Sequence, residues 1–174
     1  FDGYRVVHLT DLHVSRLFDA PWTRKVVDDA NALGADLIVI TGDLIDGAVA
    51  QREADVAALR DLRAADGVWV IPGNHEYFFG HSEWMAYFAG LNMTPLDNSH
   101  AIIRRGAGQL VLAGVNDVSA AQSGAPGPDL DAALRGAPAG VPVVLLDHQP
   151  RNARFSASRG VALQLSGQTH GGMI

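Results

Sequence analysis

Asp43 and Asp46 stand three residues apart, directly after the apolar run Leu37 to Ile40. A carboxylate at the mouth of a buried strand is costly unless a cation or a set of donors holds it. Polar clusters follow four other apolar runs in the same way: Asp11/His13, Asn74/His75, His148 and Gln168/His170. Four of the seven histidines fall in these places. Neutral imidazole, carboxylate and amide oxygen are the ligand set of borderline divalent metals such as Mn, Fe or Zn. One mononuclear site uses only three or four such groups, so the surplus points to two metals. Singly, each cluster has a plainer reading. Asp-x-His and Gly-Asp after a strand are turn chemistry, and Asn74 after Gly73 suits a left-handed turn. His148 alone would be a satisfied core histidine, and His170 a loop residue. Recurrence at five strand ends is what favours metal binding.

Such a set needs strands whose carboxyl ends share one edge, where ligand sites of α/β sheets gather. The pattern supplies them. Tyr4 to Leu9 reads as a strand, followed by a helix opened by Asp19 and Pro21 and closed by Gly34. Its apolar face carries Trp22, Val26, Val27, Ala30 and Leu33. Leu37 to Ile40, rich in β-branched residues, reads as a strand buried on both faces. The unit is βαβ and predicts parallel pairing. Arg52 to Ala65 reads as a second helix, Val68 to Ile71 as a third strand, and Ser82 to Ala89 as a helix. Ala101 to Arg104 and Gln109 to Ala113 flank Gly106-Ala107-Gly108, which predicts an antiparallel hairpin. Val118 to Pro128 reads as a loop, and Asp129 as the cap of a short helix to Arg135. Strands at Val141 to Leu146 and Val161 to Leu165 flank a weak helix, Asn152 to Ser158. His8 is expected to be packed inside its strand, His81 to be solvated at the surface, and His100 to lie in a loop or at a strand start.

The 174 residues, 48% hydrophobic, suffice for one domain with a sizeable core. The chain is expected to form a single domain over 1–174, cut at both ends from a longer one, since it starts at Phe1 and stops in Gly-Gly-Met-Ile just after a motif. The formal charge of −6 argues against bulk nucleic-acid binding. With no cysteine, thiolate zinc sites, thiol nucleophiles and disulfides are excluded. No apolar run reaches the roughly 18 residues of a membrane span. No Gly-Lys-Ser/Thr follows the Gly-bearing turns, so no phosphate-cradling P-loop is present.

In order, Asp11-x-His13, Gly42-Asp43-x-x-Asp46, Gly73-Asn74-His75-Glu76, His148 and Gly167-Gln168-Thr169-His170 resemble the five signatures of the calcineurin-like metallophosphoesterases. Leu-Asp-His-Gln-Pro and Leu-Ser-Gly-x-Thr-His-Gly-Gly are similar to the bacterial branch carried behind membrane helices or an export signal. The resemblance implies an α/β fold, a β-sandwich flanked by helices in αββα layers, with a dimetal site at the strand ends. It implies Asp11, His13 and His170 on a first metal, Asp43 bridging, and Asn74 and His148 on a second. It implies in-line attack on phosphorus by a metal-bridging hydroxide, with His75 protonating or stabilising the leaving oxygen and Asp46 orienting His75. The substrate would be a phosphorylated small molecule, nucleotide or lipid, with a membrane tether outside this chain.

Two positions depart from the family pattern. Gln168 stands where a second-metal histidine is usual, and offers only an amide oxygen. The second metal then binds weakly yet suffices, or the protein works feebly or with one metal, or the glutamine is an inactivating substitution. Weakened second-metal binding is the expectation taken. The alternative function is a degenerate metal- or phosphate-binding sensor or scaffold. Gly47 stands where the family's protein phosphatases carry a phosphate-binding arginine, which disfavours phosphoprotein substrates. Arg16 and Arg151 are candidate substitutes.

Overall fold

The structure, a computed structural model, describes residues 1–171. Two four-stranded sheets face each other. The first is parallel throughout, in the order β1 (Val6–Leu9), β2 (Leu37–Ile40), β3 (Val68–Val70) and β4 (Met93–Pro95). The second runs β5 (Ser99–Arg105), β6 (Gly108–Gly114), β7 (Val143–Leu146) and β8 (Leu163–Leu165). There β5 and β6 form the antiparallel hairpin expected from the glycine turn, while β6, β7 and β8 are parallel.

Strand parity explains the layers. Successive side chains point to opposite faces, so Leu37 and Val39 of β2 turn inward. There they meet Ile103, Leu112 and Leu146 of the other sheet in a core between the sheets. Ile38 and Ile40 turn outward into a second core with Val27, Val56, Leu59, Trp84 and Phe88. Those residues come from α1 (Ala20–Ala32), α2 (Val49–Val56), the 3-10 turn Ala57–Asp61 and, after the one-turn α3 (Asn74–Phe78), α4 (His81–Gly90). On the far side, Ala113 and Leu145 pack with Leu130 and Ala133 of α5 (Leu130–Ala133), and α6 (Ala153–Ser158) lies by β8. The αββα expectation is met.

Some expected elements are redrawn. The single helix over 52–65 is instead α2, beginning at Val49, and a 3-10 turn ending at Asp61. Its apolar positions Val56, Leu59 and Leu62 recur every three residues, the period of a 3-10 helix. Leu33 is not on the buried face of α1. It is the C-cap and is 59% exposed, whereas Thr23 is buried and bonds back to the Asp19 carbonyl. Part of the expected loop 118–128 is a 3-10 turn, Val118–Ser123. His81 is not solvated at the surface: it opens α4, stacks on Tyr77 with ring centroids 4.3 Å apart, and buries its Nε2. His100 lies at the start of β5, one of the two places expected for it, and bonds the Ala133 carbonyl at 2.7 Å. His8 is packed, its Nε2 2.7 Å from Thr41 Oγ1.

Candidate metal centre

The site lies beyond the carboxyl ends of β1, β2, β3, β7 and β8. The loops after these strands are tied by their backbones. The Asp11 and His13 amides donate to the Gly42 and Asp43 carbonyls at 3.1 Å each, and Val14 forms an isolated bridge to Ile45. Gly42 and Gly73 pass so closely that a Cβ on Gly42 would overlap the Gly73 backbone, and one on Gly73 would overlap the Asp43 carboxylate. Only glycines allow these two loops to meet.

Among the described residues, seven non-glycines have positive φ, and five of them are Asp11, His13, Asp43, Gln168 and His170. The other two are Asn92 and Asn98, types that tolerate this conformation. Asp and His also enter this region more readily than most residues, so among the five it is Gln168, at φ 69°, that carries the clearest strain.

Asp43 is at the middle. It is 1% exposed, and its Oδ1 accepts the His75 amide at 2.9 Å. Its Oδ2 lies 3.3 Å from Nε2 of His148 and 3.9 Å from Nε2 of both His13 and His75. Each imidazole is aimed by its other nitrogen. His148 Nδ1 donates to the Thr41 carbonyl at 2.7 Å, leaving Nε2 as the free donor atom. His13 and His75 both donate from Nδ1 to Oδ1 of Asp46, at 3.0 and 2.6 Å. His13 Nε2 also faces His170 Nε2 at 3.2 Å, and His170 lies 3.4 Å from Asp11 Oδ1. Asn74 Oδ1 is 3.2 Å from His148 Nε2.

The donor atoms form three overlapping groups able to hold an ion: Asp11, His13 and His170; His13, Asp43 and His75; and Asp11, Asp43 and His148. Nitrogen and oxygen donors converge, and His13, His75 and His148 have their Nδ1 atoms already engaged, so the residues present fit divalent cations. His75 also falls in a ligand group, beyond the proton-transfer role the sequence suggested. Beside Asp11 and His170 opens a cavity of about 320 Å³ lined by Thr10, Ser166, Gly167, Thr169 and Gly171.

Electrostatics match this crowding. Burial pushes the Asp43 carboxyl up, but the His148 imidazole and the His75 amide outweigh it and hold it below the usual carboxylate range. Burial pulls His148 down, but Asp43 and the Thr41 carbonyl carry it up to about 9. Their 3.3 Å approach is the geometry of an ion pair.

Gln168 behaves differently. Its backbone amide donates to both oxygens of Asp11, at 3.0 and 3.1 Å. Its side-chain Oε1 accepts a 2.6 Å bond from Gln149 Nε2, which also donates to the buried Asp117 at 2.9 Å. The oxygen that would serve a cation is therefore engaged. Arg16 and Arg151 are exposed and form no ion pair among the described residues.

Glu76 was given no role from the sequence. Fully buried, it accepts from the amides of Gly73 (2.7 Å), Asp43 (2.9 Å) and Leu44 (2.8 Å), clasping the β2 and β3 loops together. Burial and the nearby Asp43 carboxylate push its pKa up, against these donors. Its position three residues after Gly73 is capping-box spacing, a signal the sequence contained. Trp84, wholly buried in α4, donates to the Gly47 carbonyl at 3.0 Å and pins the chain next to Asp46.

A family model described as calcineurin-like phosphoesterase matches residues 4–171. An uncharacterized metallophosphoesterase of Helicobacter pylori is 33% identical over 171 residues, covering 98% of this chain and 45% of its own. A putative metallophosphoesterase of Caenorhabditis elegans is 36% identical, covering 95% of this chain and 36% of its own. A Bos taurus transmembrane protein with metallophosphoesterase domain is 35% identical, covering 99% and 41%. The chain thus spans less than half the length of these relatives. Among solved structures, the Haemophilus influenzae NAD nucleotidase superposes with a TM-score of 0.65 at 14% identity, over 96% of this chain and 38% of that one. A Thermus thermophilus 5'-nucleotidase precursor gives 0.63 at 17% identity, over 96% and 42%. At such identities these likenesses speak for the fold alone. With the family model spanning nearly all of it, this chain belongs to the calcineurin-like phosphoesterases.

Proposed function

We propose that this chain is a metal-dependent phosphoric-ester hydrolase with a dinuclear centre. The observation that carries the reading is Asp43 Oδ2, surrounded by the Nε2 atoms of three imidazoles that are each oriented from behind. Asp11, His13, His170 and Asp43 would hold one cation, and Asp43, Asn74 and His148 the other; Mn, Fe and Zn all suit such donors. When bound, such a pair neutralises phosphoryl charge and lowers the pKa of water. His75, held through Nδ1 by Asp46, presents Nε2 to the leaving oxygen and supplies its proton. The 2.6 Å bond to Asp46 fixes the orientation of that imidazole and leaves Nε2 facing the site.

The substrate is a phosphorylated small molecule. A nucleotide is one such molecule, the kind that the names of the two nucleotidases sharing this fold point to for those proteins, and relatives described as transmembrane suit an envelope phosphate and a membrane tether beyond this chain. No helix among the described residues is long and apolar enough to cross a membrane.

Loading with Mn, metal analysis, and assay of p-nitrophenyl phosphate and bis(p-nitrophenyl) phosphate test the reading. Turnover of either ester, lost in Asp43→Asn together with bound metal, is the expected result. Bound metal with neither ester turned over would instead favour a second reading, a phosphate-binding sensor, whose support is the engagement of Gln168 by Gln149.

A further inference from the structure

We propose that Phe78 and Phe79 form the subsite for the substrate's ester group, and that this group is a compact aromatic ring. The inference rests on the hydrolase reading above and narrows its substrate.

The placement follows from one helical turn. Residues three apart share a face of a helix, so Phe78 lies on the face of α3 that His75 occupies, and Phe79 follows it as the C-cap. The Phe79 amide closes that turn on the His75 carbonyl at 3.0 Å. Glu76 and Tyr77, on the other face, are buried. The ring centroids of Phe78 and Phe79 lie 5.6 and 6.0 Å from the His75 imidazole.

Both rings are left in water, Phe78 56% and Phe79 37% exposed. Phenylalanine is among the residues most often buried, and a pair exposed beside convergent polar groups marks a ligand surface. On the hydrolase reading the leaving group departs beside His75, and these are the aromatic rings next to that imidazole on its own turn. Phosphate itself gains nothing from an apolar wall, so the occupant is the organic part of the ester.

The patch is small. Gly80, Ser82 and Glu83, which follow it in the chain, are exposed and add no large apolar side chain to it. A flat ring can stack on or meet a phenyl side chain edge-on, the favoured arrangements of aromatic pairs.

Binding of non-hydrolysable phosphonates to the Mn-loaded protein, by titration calorimetry, tests this without turnover. Phenylphosphonate is expected to bind about ten-fold more tightly than methylphosphonate. Phe78→Ala/Phe79→Ala should bring that ratio close to one while leaving methylphosphonate affinity as it was. Leu33→Ala, an exposed apolar residue at the far end of α1, should keep the full ratio. A wild-type ratio near one, a ratio that survives the double substitution, or hexylphosphonate binding more tightly than phenylphosphonate would overturn the subsite. Failure of every phosphonate to bind, methyl included, would overturn the hydrolase reading and the subsite with it.

Discussion

Oδ1 of Asp46 lies 2.6 Å from Nδ1 of His75, and the same oxygen lies 3.0 Å from Nδ1 of His13. One carboxylate therefore orients a candidate proton donor and a candidate metal ligand together. Asp46→Asn keeps the shape and removes the charge. Loss of such an outer partner costs about 10- to 100-fold in activity or metal affinity, and we expect both quantities to fall. His75→Gln should lower kcat by about 10²- to 10⁴-fold while leaving metal content near wild type. In the double variant kcat should fall little further than in His75→Gln, because Asp46 then has no donor to orient. Metal affinity should still drop, because His13 has lost its partner. Steady-state kinetics beside metal titration would separate the two roles, and additive kcat losses would show that Asp46 does not act through His75.

Glu76 offers a test of how the loops are held. Three backbone N–H groups point at its two oxygens, and none has another acceptor in the turn. Glu76→Gln places an NH2 group against at least one of those donors. A buried donor left without a partner costs about 1–3 kcal/mol. We expect a lower urea midpoint at unchanged m-value, and a larger loss for Glu76→Ala, which strands all three. Metal affinity should weaken alongside, since the Asp43 amide is one of the three. A Glu76→Gln protein as stable as wild type would show that the clasp adds nothing to folding.

What the sequence disclosed and what it hid separate along physical lines. Asp11, Asp43, His148 and their partners were legible because each follows an apolar run, and parallel strands bring their carboxyl ends to one edge. The layer order was expected from the family resemblance, while the β-branched runs and the glycine hairpin marked the individual strands. Short-range geometry was not. The one-turn α3 carrying His75 lies in a stretch whose Gly73 and Asn74 read as a turn. The break of α2 into a 3-10 turn was masked by alanines that suit either helix. His81 was assigned to solvent because sequence spacing does not report a stacking partner four residues back. The engagement of Gln168 by Gln149 spans 19 residues and no periodicity marks it.

The end of the sandwich away from the site should give the protein an alkaline limit. Tyr4 donates its hydroxyl to Asp66 at 2.7 Å, and Arg105 at the end of β5 joins Asp66 and Asp36. Burial first, then the Asp66 carboxylate, raises the Tyr4 phenol well above its usual value of 10.0. The folded state thus keeps a proton that the unfolded state loses near pH 10. This contribution is complete below that pH and is lost as pH rises from there through the folded value. Tyr77, raised by burial, acts in the same direction. Urea midpoints at pH 8, 9.5 and 10.5 should fall with pH in the wild type and fall less in Tyr4→Phe. An identical slope in the two proteins would remove Tyr4 from the linkage.

The hydrogen bond from Gln149 to Gln168 sets the last expectation, on the balance between the two cations. The group Asp11, His13 and His170 is complete without Gln168, whereas Asp43, Asn74 and His148 would share a cation with no further imidazole. Turning the Gln168 oxygen toward a cation means breaking a 2.6 Å bond to Gln149, and the ligand gained is a neutral amide, poorer than imidazole for Mn, Fe or Zn. Calorimetric titration with Mn should therefore resolve one tight and one weaker event. Gln168→His should tighten the weaker event by about 10-fold or more and leave the tight one in place. Gln149→Ala frees the Gln168 oxygen without adding an imidazole, so it should tighten the weaker event by less. Two equal events in the wild type, or a titration that Gln168→His leaves unchanged, would mean that this position does not govern the second cation, because an imidazole within reach of it would have been felt.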